Sequence, residues 1–465
     1  MLAMSALDLD AVRTQIVGLA TPLPRREGTP GPAINLDNAA TTPPLRQVQA
    51  TVERFLGVYS SVHRGAGLKS QAASAAYEEA RAVVGRFVGA RPNQHQVIFT
   101  RNTTEALNLL AHRLDLAPGQ VIISTELEHH SNDLPWRGVA PVAHVRTTPE
   151  GALDEAHYAA LLNQYVGRVR LVAVTGGSNV TGYVPPIHRM AALAHAHGAA
   201  IVVDAAQLAP HRRIALGDLA DPAHLDYVAL SGHKLYAPYG AGALIGRADT
   251  FARGAPMLAG GGSVRRVTPQ IVAWADGPAR EEAGTPNAVG AVALAAACLA
   301  LENLGFEAIT AHETALTAYA LDQLAGVPGL WLYGDPDPDG AAERLGVIPF
   351  CLDGYDPHLV AAILSYEAGI AVRSGSFCAQ PYVRRLLKLE HAGCEQGQQG
   401  LVRASFGLYT TEAEVARLVS TLHAITAGDY DGLYALSPTT GSFQPIGWKL
   451  APQSLFQLTE RGGGF

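Results

Sequence analysis

The sequence has little cysteine and little charge. Its four cysteines, Cys298, Cys351, Cys378 and Cys394, lie far apart and form no CxxC or His/Cys metal spacing. This pattern argues against a disulfide framework or a structural zinc site, and it predicts a reducing, cytoplasmic setting. Charged residues make up only 16% of the chain and the formal net charge is −7. We therefore expect no nucleic-acid surface and no polybasic membrane patch.

Long apolar runs are also missing. The longest helix-like apolar run, residues 288–301, is too short and too rich in alanine to span a bilayer. Asp8 and Asp10 stand where a secretory leader would be apolar, so we expect neither a leader nor a membrane partner. The chain is nevertheless 48% hydrophobic over 465 residues. That is enough for a large buried core and predicts two domains.

Short apolar segments alternate with helical patterns through the middle of the chain. Strands are predicted at 96–100, 120–124, 169–174, 199–203, 227–230 and 242–245. Apolar strands without polar alternation predict an α/β fold, with a mostly parallel central sheet covered by helices on both faces. After residue 288 the pattern changes to that of a smaller α+β domain. The predicted division is an N-terminal arm (1–33), a large domain (34–290), a small domain (291–427) and an extended aromatic tail (428–465).

Polar side chains follow several of these strands where they end. Ligands of open α/β sheets bind outside the carboxyl ends of the strands. Thr103 and Thr104 open a helix there and are suited to an anion such as phosphate. Ser231 and His233 are two further potential phosphate donors, and they stand beside Lys234. Each residue alone has an ordinary explanation, such as a helix cap or a surface lysine.

Two further strand ends strengthen the pattern. Asp204 follows the strand at 199–203, and a carboxylate there is suited to hold a protonated pyridine nitrogen. His129 follows the strand at 120–124 and is able to stack on a flat ring or move protons. A desolvated Lys234 would be the amine that binds an aldehyde. Together these residues predict a site for a phosphorylated aldehyde cofactor.

Ordered motifs from Asn35 to Ala427 resemble one family closely. The carriers are LDNAA (36–40), VHRG (62–65), RNTTE (101–105), EHHSN (128–132), SNVTG (178–182), VDAAQ (203–207), SGHK (231–234), GGGS (260–263), EAGTPN (282–287), RSGSFCAQP (373–381) and RAS (403–405). The chain resembles the fold-type I, pyridoxal-phosphate-dependent enzymes of aminotransferase class V. It is most similar to the group II (Suf-type) cysteine desulfurases and the selenocysteine lyases.

The resemblance implies a role for each site residue. The cofactor, pyridoxal 5′-phosphate, would be bound by residues that hold its aldehyde, its ring and its phosphate: Lys234 as the Schiff-base lysine, Asp204 at the pyridine nitrogen, Gln207 at the phenolic oxygen, His129 stacked on the ring, and Thr103, Thr104, Ser231 and His233 at the phosphate. Thr285 would reach the phosphate from a second subunit, which implies a homodimer. Asn179 and Arg403 would bind the substrate carboxylate, with Arg373 near the substrate.

The implied reaction converts L-cysteine to L-alanine, with sulfur passing to Cys378 as a persulfide and then to an acceptor protein. Only a thiolate is effective in this step, so Cys378 should be partly exposed near positive groups. Two alternatives remain open. Another class V reaction, such as that of a selenocysteine lyase, β-lyase, aminotransferase or epimerase, would make Cys378 a bystander. A non-catalytic binding protein would not need Lys234, Asp204 and Arg403 together.

The chain also departs from the family pattern. Phe377 stands where relatives often carry a polar or imidazole residue before the cysteine. A polar stretch at 390–400 has the composition of an inserted loop, and the arm and tail are additions. These departures bear on the sulfur acceptor and the substrate, and they leave the expected cofactor unchanged.

Overall fold

The computed structural model describes residues 7–26, 30–63, 65–388, 400–438, 441–448, 455–456 and 458. The predicted insertion at 390–400 lies outside these residues apart from Gly400. Among the described helices, none is by itself both long enough and apolar enough to cross a membrane. One pair of consecutive helices, Ala288–Leu304 and Phe306–Ala325, passes that test jointly but is bent by 77°.

The helices, in chain order, are α1 Leu9–Gln15, α2 Arg46–Leu56, α3 Leu68–Phe87, α4 Thr103–Arg113, α5 Leu134–Arg137, α6 Glu155–Gln164, α7 Ile187–Ala196, α8 Ala288–Leu304, α9 Phe306–Ala325, α10 Pro357–Ala368, α11 Gln380–Leu386 and α12 Glu412–Thr426.

The strands, in chain order, are β1 Pro22–Leu23, β2 Gly31–Pro32, β3 Ile34–Asn35, β4 His95–Thr100, β5 Val121–Thr125, β6 Val142–Val145, β7 Val169–Thr175, β8 Ala200–Asp204, β9 Tyr227–Ser231, β10 Gly242–Arg247, β11 Val264–Val267, β12 Val272–Trp274, β13 Leu330–Leu332, β14 Val347–Leu352, β15 Ile370–Ala371, β16 Arg373–Gly375, β17 Leu401–Ser405, β18 Tyr434–Leu436 and β19 Phe443–Pro445.

A seven-stranded sheet with the order β4-β10-β9-β8-β7-β5-β6 forms the centre of the molecule. The strands from β9 to β6 in this order pair in parallel. β10 is antiparallel to both β9 and β4, so β4 points the same way as the parallel strands. The predicted mostly parallel sheet is therefore confirmed, and six strands have their carboxyl ends at one edge.

Both faces of this sheet are covered, as the apolar strand patterns predict. Side chains on one face, such as Ile123 and Val172, belong to a large core cluster that includes α3 and α8. Their neighbours Ile122 and Leu171 point to the opposite face and pack with α4. Because successive side chains of a strand point to opposite faces, continuous apolar runs supply both cores.

A second sheet, β13-β14-β17-β16, is antiparallel. It packs with α9, α10 and α12 around its own core cluster. The buried residues of α8, and of α9 as far as Ile309, belong to the core of the large sheet, whereas α9 joins the second core from Leu316 onward. The division after residue 290 stays a prediction, since these cores meet within α9.

The described part of the C-terminal tail contains the hairpin β18–β19, which the sequence did not predict. The Tyr434 hydroxyl donates to Glu367 Oε1 at 2.8 Å, and the rings of Tyr366 and Trp448 lie 5.4 Å apart. These contacts attach the tail to the C-terminal end of α10. The chain runs from α10 through β15 and β16 to Cys378.

Candidate active site

The polar residues predicted at the strand ends come together at one edge of the central sheet. They line a cleft of about 300 Å³. Every residue predicted for the site lines this cleft, with the exception of Thr285: Thr103, Thr104, His129, Asn179, Asp204, Gln207, Ser231, His233, Lys234, Arg373, Cys378 and Arg403. Thr285 instead lines a separate cleft together with His63 and Glu282.

Lys234 ends a 3-10 turn, Gly232–Lys234, that begins directly after β9. The turn lies so close to β10 that a Cβ on Gly232 would come within 2.7 Å of the Ala241 carbonyl oxygen. Glycine is therefore required there for steric reasons. Burial lowers the pKa of Lys234 from 10.5 to about 8, and the charge of Asp204 limits this fall. The site therefore increases the fraction of Lys234 that is present as a neutral, nucleophilic amine.

Asp204 is the last residue of β8 and is 6% exposed. Its Oδ1 accepts a hydrogen bond from the Ala206 N–H at 3.0 Å. Burial raises the pKa of this carboxyl group, while the Ala206 hydrogen bond and Lys234 act in the opposite direction. A buried carboxylate needs more compensation than one hydrogen bond provides. A cationic N–H in the cleft would supply it.

A second buried carboxyl group lies behind the cleft. Glu128 accepts hydrogen bonds from Thr125 Oγ1, Asn132 Nδ2 and the Thr175 N–H. Burial still raises its pKa to about 8, and Asp204 contributes to the rise. At neutral pH Glu128 is mostly protonated, so it joins β5 to β7 without placing a second negative charge beside Asp204.

One end of the cleft is built from hydroxyl groups and a helix N-terminus. Thr103 opens α4, whose N-cap Asn102 accepts from the Glu105 N–H at 3.0 Å. Thr103 Oγ1 and Ser231 Oγ are buried and have no hydrogen-bond partner among the described residues. Buried hydroxyl groups without a partner are rare in folded proteins. Together with the helix N-terminus they form a cradle suited to an anion.

Three further side chains, those of His129, His233 and Gln207, also line the cleft. The His129 Nδ1 accepts from the Ser131 N–H at 3.1 Å. Burial, together with Lys234, lowers the pKa values of His129 and His233 to about 4, so both rings are neutral at neutral pH. The Gln207 Nε2 donates to the Ala39 carbonyl at 2.7 Å, which fixes the orientation of its amide.

Arg403 and Arg373 also line the cleft, where Arg403 contacts Asn179 and Phe377. Arg403 is 2% exposed and forms an ion pair with Asp37 at 3.1 Å, and its Nη1 donates to the Asn179 carbonyl at 2.8 Å. Burial lowers the pKa of Arg403 to about 10, which leaves it charged at neutral pH. Arg373 is exposed and lies 3.9 Å from Asp37. The two guanidinium groups are therefore suited to bind a carboxylate.

Cys378 lies at the mouth of the cleft. It is the exposed member of the described cysteines, whereas Cys298 and Cys351 are buried. It lies between β16 and α11, with a positive φ of 54°. Its carbonyl accepts from the His130 N–H at 2.7 Å, and it is close enough to Lys234 and Arg403 to affect their pKa values. An accessible thiol beside cationic groups has the setting of a reactive cysteine.

The family model for aminotransferase class-V matches residues 34–418. The chain belongs to the aminotransferase class-V family. It is 36% identical over 434 residues to a cysteine desulfurase of Haloferax volcanii, with 90% of this chain and 97% of the relative covered. It is also 38% identical over 404 residues to a cysteine desulfurase of Dickeya dadantii, with coverage of 85% and 92%.

Solved structures of this family superpose well. The cysteine desulfurase CsdA from Escherichia coli aligns with a TM-score of 0.75 and 30% identity, covering 91% of this chain and 99% of that one. The apo cysteine desulfurase from Thermococcus onnurineus aligns with a TM-score of 0.77 and 32% identity, covering 92% and 100%. The expected α/β fold of this family is thereby confirmed.

Several cleft residues had no role assigned from the sequence. Ser131 lines the cleft and exchanges a 2.7 Å hydrogen bond with Thr104, and Asp37 pairs with Arg403. Glu128 and Asp37 lie within the family motifs EHHSN and LDNAA. The motifs therefore contain both residues, but they do not indicate what each residue does. Phe377 also lines the cleft, and its position in the sequence does not by itself indicate a role there.

Proposed function

We propose that this chain is a pyridoxal 5′-phosphate-dependent cysteine desulfurase. It would convert L-cysteine and the Cys378 thiol to L-alanine and a Cys378 persulfide. The observation that carries the proposal is the position of Cys378, an exposed thiol at the mouth of a cleft that also contains buried Lys234 and Asp204. The cysteine desulfurases among its relatives support it.

The residues of the cleft fit the cofactor. Thr103 Oγ1 and Ser231 Oγ are buried hydroxyl groups without a partner in the described chain, and they stand at the N-terminal end of α4, where a phosphate would accept from them. Asp204 lacks sufficient compensation for its buried charge, which a pyridinium N–H would provide. Lys234 has the lowered pKa that capture of an aldehyde requires.

When bound, pyridoxal phosphate supplies an aldehyde that takes up amines and a ring that accepts the electrons released at the substrate Cα. The chain's own residues do the rest. Asp204 would hold the protonated ring nitrogen and stabilise its positive charge. The neutral amine of Lys234 accepts the proton from Cα, and the His129 ring packs beside the reacting groups. Arg403 and Asn179 bind the substrate carboxylate and so orient the Cβ–S bond.

Sulfur transfer uses the Cys378 thiolate as nucleophile. It attacks the substrate sulfur, an S–S bond forms, and the electron pair of the Cβ–S bond stays with carbon, which a proton then converts to the methyl group of alanine. The enzyme is left with a persulfide, and a second thiol must then take the terminal sulfur. We propose an acceptor protein as that thiol in a reducing, cytoplasmic setting.

The position of Thr285 supports the proposal of a homodimer. It lines a cleft apart from Lys234 in the same chain, so a contribution to the cofactor phosphate would come from a second copy. Mixed dimers of Lys234→Ala and Thr285→Val chains test this. If Thr285 acts in trans, one site of each mixed dimer is fully wild type and activity returns. If it acts in cis, every site carries a substitution and no activity returns.

The function itself is tested with L-cysteine. The purified protein should be yellow, and Lys234→Ala should lose the visible absorbance of the lysine-bound cofactor. Incubation with L-cysteine should release alanine and leave 32 Da of added mass, the mass of one sulfur atom, on the Cys378 peptide. A colourless wild-type protein would refute the cofactor assignment.

The variant Cys378→Ser separates the desulfurase from the other class V reactions. It should lose alanine release while keeping the cofactor absorbance. Alanine release at the wild-type rate would instead favour a class V reaction in which Cys378 has no part, such as that of a selenocysteine lyase, and release of pyruvate, ammonia and sulfide would favour a β-lyase.

A further inference from the structure

The residue before the proposed nucleophile has an unusual backbone conformation. Phe377 and Cys378 have φ values of 51° and 54°, so two consecutive residues that are not glycine occupy the left-handed region. A bulky aromatic residue rarely adopts this conformation, and it persists only where the surroundings hold it. The consequence is a sharp reversal that buries the Phe377 ring and exposes the Cys378 thiol.

The backbone of this pair is held from the large sheet. The Asn179 Nδ2 donates to the Phe377 carbonyl at 2.7 Å, and the His130 N–H donates to the Cys378 carbonyl at 2.7 Å. Asn179 lies after β7 and His130 after β5, on the edge of the large sheet that bears the cleft. These two hydrogen bonds therefore fix the backbone that carries the thiol relative to the strand ends that border the cleft.

The ring of Phe377 is held by a different group. The Arg403 guanidinium lies over this ring, 4.8 Å from its centroid. Arg403 also forms the ion pair with Asp37 and donates to the Asn179 carbonyl, while its Nε has no hydrogen-bond partner among the described residues. The aromatic face covers the guanidinium, excludes water from it and attracts its positive charge.

We propose that Phe377 is a positioning residue that holds Arg403 through its ring and the Cys378 thiol through its backbone. Binding of the substrate carboxylate and presentation of the thiol would then both depend on this one residue. This inference rests on the proposed function, in which Arg403 binds the substrate carboxylate and Cys378 accepts sulfur. It assigns a role to Phe377, which the sequence connected with the choice of substrate and sulfur acceptor only through its residue type.

The test compares Phe377→Leu with Phe377→Tyr in the holoenzyme. Leucine is apolar but has no aromatic face, whereas tyrosine keeps it. In Phe377→Leu we expect KM for L-cysteine to rise roughly tenfold, a loss between those that exposed and fully desolvated cation–π contacts imply. We also expect faster deuterium uptake in the peptide that contains residues 376–380, and slower persulfide formation on Cys378. Phe377→Tyr should restore most of each loss, and the cofactor absorbance should be unchanged in both variants.

The matched control is Tyr165→Leu, which removes the aromatic ring that the Arg168 guanidinium contacts. Neither of these two residues lines the cleft. It should leave KM and the exchange of residues 376–380 unchanged. Equal KM and exchange in Phe377→Leu and wild type would overturn the proposal, and so would equal losses in the Leu and Tyr variants. If Phe377→Leu does not fold, Phe377→Met replaces it. Should the wild type release no alanine, the proposed function fails, yet deuterium uptake still tests the positioning role.

Discussion

Replacing Asp204 with asparagine should lower the pKa of Lys234 further. Burial lowers this pKa from 10.5 to about 8, and the Asp204 charge is the largest of the effects that oppose the fall. At 1.36 kcal/mol per pKa unit, the difference corresponds to roughly 3 kcal/mol against the protonated amine. At pH 7.5 about a quarter of Lys234 is then neutral, compared with about one molecule in a thousand for an ordinary lysine.

Asparagine keeps the shape of the side chain and the oxygen that accepts from Ala206, but it removes the negative charge. The remaining cost of burial and the charge of Arg403 both disfavour the ammonium form of Lys234. In Asp204→Asn we therefore expect the pKa of Lys234 to move from about 8 to roughly 7 or lower. The neutral fraction of Lys234 should therefore rise, although the substitution also removes the proposed partner of the cofactor nitrogen.

The composition of the chain makes the measurement feasible. The sequence contains only four lysines, Lys69, Lys234, Lys388 and Lys449. Protein labelled with carbon-13 at the lysine ε position, with the cofactor removed by hydroxylamine, should give four signals that report protonation through their shifts. Lys234→Arg identifies the signal of interest. Asp218→Asn, at a surface carboxylate, serves as the control and should change nothing at Lys234.

Two outcomes would refute this reasoning. If the Lys234 signal of the wild type titrated near the ordinary lysine pKa, burial would not control the amine. If it titrated at the same pH in Asp204→Asn as in the wild type, the carboxylate would not be its electrostatic partner. In either case the assignment of Asp204 to the cofactor nitrogen would lose its physical support.

Three further predictions concern the hydroxyl groups of Thr103 and Ser231, the guanidinium of Arg403, and the hydrogen-bonded pair of His195 and Asp226. Thr103→Val and Ser231→Ala should each raise the dissociation constant of pyridoxal phosphate roughly tenfold, since each removes a hydrogen bond to a charged group, and a fluorescence titration of cofactor-free protein measures this. Arg403→Lys should raise KM for L-cysteine roughly thirtyfold in steady-state kinetics, because lysine lacks the planar donors that a carboxylate pairs with. The hydrogen bond to Asp226 raises the pKa of His195 in the folded protein. The stabilisation of the fold by this pair is therefore full below about pH 6.5, the ordinary histidine pKa, and is lost as pH rises through the raised value. The Tm difference between wild type and His195→Gln should shrink accordingly with rising pH.

The sequence was sufficient for the central sheet and for the convergence of polar residues at its edge. Apolar runs such as 121–125 are buried on both faces in parallel sheets, and this forces the polar residues to the strand ends. Six strands of one direction then bring residues as distant as Thr103 and Lys234 into one cleft. The roles of individual residues came from the resemblance to a family.

Other features depended on long-range pairing that no local pattern encodes. The chain from Ile370 to Gly375 forms two short strands, β15, which pairs with β3, and β16, which pairs with β17. The contact between Phe377 and Arg403 likewise requires the fold to bring the cysteine turn against β17. The raised pKa of Glu128 arises from burial and from Asp204, which lies in another strand. Each of these is a tertiary effect.

The cleft offers two different settings for an anionic group. Beside Thr103 and Ser231, burial makes His233 neutral, and an anion there would rely on helix α4 and on hydroxyl groups without a partner among the described residues. Beside Asp37, Arg403 keeps its charge, because even a pKa of about 10 leaves it protonated at neutral pH. A phosphate is satisfied by several oriented donors, whereas a small carboxylate gains most from a planar cation. In the proposed function, a ligand would therefore place its carboxylate at Arg403, which contacts the turn that presents Cys378.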